Sequence, residues 1–112
     1  MEYPRIIKKE LLVDGVDLTL DIAPKLEAFK GHFNDAPIVP GVVQVQWVLE
    51  YAKMHLDGIT DIQVERLDAL KFQNIIQPNS VVDLKIRLLN HKLEFAFTSL
   101  DKKHSSGKIL IS

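Results

Sequence analysis

Between Pro40 and Leu56 the chain carries one long helical pattern with more apolar positions than a single face can hold. Val42, Val45, Leu49, Ala52 and Leu56 recur at helical spacing as one stripe, and Val43, Trp47 and Tyr51 form a second stripe beside it. A helix lying on a surface needs only one such stripe, so this width predicts a helix enclosed by other structure. Pro40 suits the first helical turn, where its missing N–H has no intrahelical partner, and Gly58 is placed to end the helix. Whatever encloses the helix must be β-structure, because the rest of the chain reads as strands.

In Val16-Asp17-Leu18-Thr19-Leu20-Asp21-Ile22 apolar and polar residues alternate strictly, as in a strand with one buried face. Ile6 to Val13 precedes it across Asp14-Gly15, a two-residue hairpin signal. Pro24 ends the second strand, and the stretch to Pro40 is irregular, broken by Gly31 and Pro37. Beyond Gly58, Ile62 to Phe72 alternates with a phase slip near Glu65-Arg66-Leu67 that predicts a bulge. Pro78-Asn79 reads as a turn, since asparagine tolerates the left-handed conformation. Val81 to Leu89 and Leu93 to Leu100 are strands joined at Asn90-His91, and Lys108 to Ser112 is a last strand after the polar stretch Asp101 to Gly107. The order β-β-α-β-β-β-β predicts an α+β fold. About six mostly antiparallel strands wrap one long helix in a single domain, 1–112.

Length and composition narrow the function. A chain of 112 residues, 46% hydrophobic and 26% charged, suffices for one core and argues against disorder. A net charge of −1 lacks the basic excess of a nucleic-acid binder. With no cysteine, thiol catalysis and thiolate metal sites are excluded. No apolar run approaches the ~18 residues of a membrane span. The start MEYPRIIKKE has no apolar core of a signal peptide, so a cytoplasmic protein is expected.

The stretch GHFNDAPIVPGVV supplies Gly31-His32-Phe33, then Pro37, then Pro40-Gly41-Val42. It resembles the signature of the 3-hydroxyacyl-acyl carrier protein dehydratases of fatty-acid synthesis, the FabA/FabZ-type hotdog proteins. Two supporting blocks are similar: Phe72, five residues, then Pro78-Asn79-Ser80; and the closing Gly107-Lys108-Ile109-Leu110. The likeness spans roughly 16–112 and implies a hotdog fold, in which the sheet curls around the central helix. It also implies a homodimer with sites at the interface, acting on an acyl thioester of acyl carrier protein or coenzyme A without a cofactor.

In that family the loop histidine, here His32, works with an acid on the central helix of the other subunit. A histidine titrating near neutrality can take a proton from the carbon beside a thioester. The backbone N–H at the position of Gly41 polarises the carbonyl, which free amides and the helix dipole favour. Gly41, Val42, Phe33 and Trp47 are the substrate-binding candidates that the resemblance implies. His55, His91 and His104 share no ligand spacing, so no metal site is predicted.

The chain departs from the family on the helix. The family's Glu or Asp falls on Gln46, and its glutamine, one turn later, on Glu50. An amide can orient a hydroxyl or water but cannot supply a proton. Glu50 is the carboxylic acid left on that helix, and burial beside Trp47 and Tyr51 would favour its protonated form. Gln46-Trp47 is also similar to the dehydratase-like branch found with aryl-polyene synthesis genes, in which an acid stands beside the tryptophan. Plainer readings stand beside these. Gln46, Glu50 and Lys53 suit a solvated stripe with a Glu50–Lys53 ion pair, Trp47 and Tyr51 suit core or dimer contacts, and Asp35 suits a turn. Three functions remain open: dehydratase, non-catalytic acyl-thioester binder or partner subunit, and hotdog thioesterase using Glu50 or Asp35.

Overall fold

The computed structural model describes residues 2–26, 29, 38–59 and 61–112. Its elements run β1 (Arg5–Leu12), β2 (Gly15–Ile22), α1 (Gly41–His55), β3 (Val64–Phe72), β4 (Ser80–Leu89), β5 (Lys92–Ser99) and β6 (Lys102–Ile111). This is the expected order. The strands form one six-stranded sheet, β1-β2-β4-β5-β6-β3, and every neighbouring pair is antiparallel. The sheet does not close, so β1 and β3 are edges.

One face of the sheet carries the core. Val16, Leu18, Leu20 and Ile22 of β2 are buried, as are Val82, Leu84 and Ile86 of β4, and both sets alternate with exposed or half-buried neighbours. They join Val45, Trp47, Val48, Tyr51 and Ala52 of α1 in one cluster. The two-stripe reading of α1 needs one correction. Val42 is 68% exposed, whereas Gln44 between two valines is buried. At ~100° per residue, the buried Gln44, Val45, Trp47, Val48, Tyr51 and Ala52 share one face, and position 42 falls about 140° round the helix from its centre.

The strands were also legible, with three corrections. The β1–β2 turn is Val13-Asp14, since Leu12 pairs with Gly15. Gly15 is needed for another reason: a Cβ there would collide with the carbonyl oxygen of Ile86 on the adjacent strand. The polar stretch from Lys102 to Gly107 is strand, because β5 and β3 pair with it on both sides. In β3 a register break at Val64/Arg66 fits the expected phase slip, but a second lies between Asp68 and Lys71. There Ala69 has φ 52°, a conformation that alanine does not advertise. The turn residues Asn79 (φ 61°), Asn90 (φ 48°) and His91 (φ 61°) are left-handed, the last two forming the tight β4–β5 hairpin.

Candidate active site

The first residues of α1 open onto a cavity of about 330 Å³, lined on one side by Ile38, Val39, Gly41 and Gln44 and on the other by 72–75. Pro40 is the N-cap, with extended backbone and no side-chain cap. Val43 and Gln44 donate their N–H groups to the Pro40 carbonyl at 3.1 Å each. By helix geometry the N–H groups of Gly41 and Val42 have no intrahelical acceptor, and the helix dipole adds partial positive charge there. This end of α1 therefore suits a group developing negative charge, such as a polarised carbonyl oxygen.

Phe72, the last residue of β3, closes the opposite side. A Cβ on Gly41 would stand 2.7 Å from Cζ of that ring, so only glycine lets the ring and the helix backbone approach so closely. The two walls are tied by Val39 N–H donating to the Ile76 carbonyl at 3.0 Å. Gln44 secures the helix side. Its Nε2 donates to the Val39 carbonyl at 3.1 Å, and its Oε1 accepts from Ser105 Oγ at 2.6 Å. A polar residue inside the apolar run Val42–Val45 was the sequence signal for this anchor.

Gly41 is thus on the cavity, and Val42 is exposed beside it. The other candidates lie elsewhere. Gln46 is exposed on the open face of α1, away from the core. Glu50 is half-buried, and its charge adds to burial in raising the pKa of Tyr3. Glu50 lies nine positions beyond Gly41, about 13 Å along the axis at ~1.5 Å per residue. Glu50 and the cavity of its own chain are therefore not brought together. The four ion pairs among the described residues include neither Glu50 nor Lys53.

Trp47 is fully buried in the core, and its Nε1 has no hydrogen-bond partner among the described residues. Tyr51 is buried as well. Its hydroxyl donates to the Pro4 carbonyl at 2.7 Å, and burial, with Tyr3 adding, raises its pKa. Both side chains serve the core within one chain. His32, Phe33 and Asp35, with Gly31 and Pro37 of the same motif, lie outside the described residues.

The sequence pattern of the ApeI-like family, described as ApeI dehydratase, matches residues 9–108. The chain belongs to this dehydratase family. A similar solved structure is that titled the dehydratase heterocomplex ApeI:P from Xenorhabdus doucetiae, at 33% identity and TM-score 0.88, covering 98% of both chains. An uncharacterized protein from Erwinia carotovora subsp. atroseptica superposes with TM-score 0.82 at 28% identity, covering 99% of this chain and 97% of that one.

Among curated proteins, the 3-hydroxyacyl-[acyl-carrier-protein] dehydratase FabZ of Oleidesulfovibrio alaskensis is 30% identical over 73 residues, 59% of this chain and 47% of that protein. The FabZ of Nitratidesulfovibrio vulgaris is 29% identical over 93 residues, 73% of this chain and 60% of that protein. The chain spans about half the length of the curated relatives it matches. These likenesses establish the hotdog fold and a family of fatty-acid and aryl-polyene dehydratases. No helix among the described residues is long and apolar enough to cross a membrane.

Proposed function

We propose that the protein is a dehydratase of 3-hydroxyacyl thioesters held on acyl carrier protein, with coenzyme A thioesters as the alternative form. The cavity at the start of α1, between Gly41 and Phe72, carries this reading. The thioester carbonyl accepts from the free N–H of Gly41, which stabilises charge spreading from the adjacent carbon. His32 takes the proton from that carbon as the general base. The bond from the β-carbon to its hydroxyl breaks, and a donated proton lets the oxygen leave as water, giving the enoyl thioester. Gln46 orients the hydroxyl or a bridging water, and Glu50 supplies the proton.

With Glu50 about 13 Å along α1 from Gly41, this mechanism pairs Glu50 with the cavity of a second copy, in a homodimer of single-domain cytoplasmic chains. A half-open sheet with an unpaired edge is consistent with such pairing. A second reading has two supports. The amide at Gln46 suits a non-catalytic partner subunit, and the similar Xenorhabdus structure is titled a heterocomplex.

The test offers 3-hydroxyacyl and enoyl thioesters while enoyl absorbance and free thiol are followed together. Dehydration yields enoyl absorbance without thiol, and His32→Ala lowers it by ~10²–10⁴. Thiol release without an enoyl product would make the protein a thioesterase. Binding without either signal would make it the partner subunit.

A further inference from the structure

The cavity wall formed by Gln73, Asn74 and Ile75 follows β3 and has no strand partner of its own, yet one residue of β6 makes most of the hydrogen bonds that fasten it to that strand. In the β5–β6 pairing Phe97 faces Ser105 and Thr98 faces Lys103, so His104 is the extra residue of a β-bulge. Consecutive strand residues normally point to opposite faces, but here His104 and Ser105 are both buried. Bulges redirect side chains in this way and are frequent beside active sites.

Redirected, His104 reaches the wall. Its Nδ1 lies 3.2 Å from the Asn74 carbonyl and 3.1 Å from the Ile75 carbonyl. Two carbonyl oxygens accept only, so Nδ1 carries the proton and donates. At the other side of the ring, Nε2 is 2.7 Å from Ser99 Oγ and accepts from that hydroxyl. The backbone of the same residue adds two contacts, its carbonyl accepting from Gln73 N–H at 2.9 Å and Asn74 N–H at 3.3 Å. Asn74 Nδ2 also donates to the Lys103 carbonyl at 2.8 Å. Ser105, the next residue, holds the facing wall through Gln44.

We propose that His104 is a positioning residue: through Nδ1 it fixes the Asn74–Ile75 main chain as the wall against which the acyl thioester is held. It does not touch the substrate. The inference rests on the reading of this cavity as the thioester site. A side chain without a donor at this point frees two carbonyls of the wall from their tie to β6. The wall then relaxes, and the distance across the cavity to Gly41 is no longer fixed.

The experiment titrates the full chain with a 3-hydroxyacyl pantetheine thioester by calorimetry, which separates affinity from the fraction of competent sites. His104→Leu should weaken Kd about tenfold, the scale of one lost hydrogen bond, at unchanged stoichiometry. His104→Asn keeps an N–H donor near the place of Nδ1 and should restore Kd to within about threefold of the wild type. A purely structural role would lower the stoichiometry and leave Kd alone, which overturns the proposal. Ile75→Trp, which fills the cavity, separates the two levels. If Ile75→Trp weakens binding and His104→Leu does not, the positioning role fails while the site stands. If Ile75→Trp leaves Kd unchanged, or the wild type binds no thioester, the site reading fails and the proposal falls with it.

Discussion

The ring of Phe72 rests on Gly41, joining the last residue of β3 to the first residue of α1. The contact sets the width of the cavity at the point where the helix N–H groups are free. Gly41→Ala would bring a Cβ to 2.7 Å from Cζ and 2.9 Å from Cε1. The obstacle is the far end of a side chain that is 52% exposed, so the ring can turn away. We expect a stability loss of only about 1 kcal/mol, at the low end for overpacking. Turnover should fall much further, because the turned ring and the new methyl group crowd the carbonyl site. Gly41→Ala with Phe72→Leu should recover part of it. Wild-type turnover in Gly41→Ala would show that the substrate does not use this end of the helix.

Gln44 and Ser105 offer a test on stability alone. Ser105→Ala leaves Gln44 Oε1 without its donor, and Gln44→Met leaves the Val39 carbonyl and Ser105 Oγ without partners. Each single change should cost ~1–3 kcal/mol, the range for an unsatisfied buried polar group. The double variant should cost less than the sum, because the second change removes a group already left unpaired. Urea unfolding of the four proteins measures this. Strict additivity would mean that the two side chains do not act as one contact.

What the sequence shows and hides follows the range of each interaction. The Asn90-His91 turn and the left-handed Asn79 are local backbone preferences, and both are where the pattern puts them. Alternation gives β2, β4 and β5 for the same reason. The strand character of Lys102 to Gly107 is not local, because it comes from pairing with β3 and β5 on either side. Gly15 looked like half of a turn, and its true role depends on Ile86, far along the chain. The site divides the same way. Gly41 could be named from its motif and its place at a helix start, whereas Gln44, Ser105 and His104 act through partners 5 to 61 residues away.

His55 gives a pH dependence with a definite sign. Burial, with the charge of Lys9 adding, lowers its pKa from 6.5. Its Nε2 is buried without a hydrogen-bond partner among the described residues, which fits a ring kept neutral. A depressed pKa means that the unfolded chain binds the proton more tightly than the folded one. The stability that His55 contributes is therefore present above pH 6.5 and is lost as pH falls through the folded value. Melting temperatures between pH 8 and pH 5 should fall less in His55→Gln than in the wild type. An equal fall in both proteins would assign the acid sensitivity to other groups.

The proposed proton donor can be tested with two chains. The helix amide Gln46 cannot protonate a leaving hydroxyl. Glu50 can, but it lies about 13 Å along α1 from Gly41 of its own chain. The proposed mechanism takes His32 and Gly41 from one copy and Glu50 from the other. His32→Ala and Glu50→Gln should then each be inactive alone. Mixed in equal amounts and allowed to exchange, they form heterodimers with one intact site and one doubly damaged site. Random pairing returns about a quarter of wild-type turnover, since half the dimers are mixed and each keeps one of two sites. Gln46→Glu adds a second arm, because a large gain there would mean that the natural chain lacks an effective acid. Wild-type turnover in Glu50→Gln would remove Glu50 from the mechanism. Two inactive variants that stay inactive after exchange would show that the site is not shared between copies in this way.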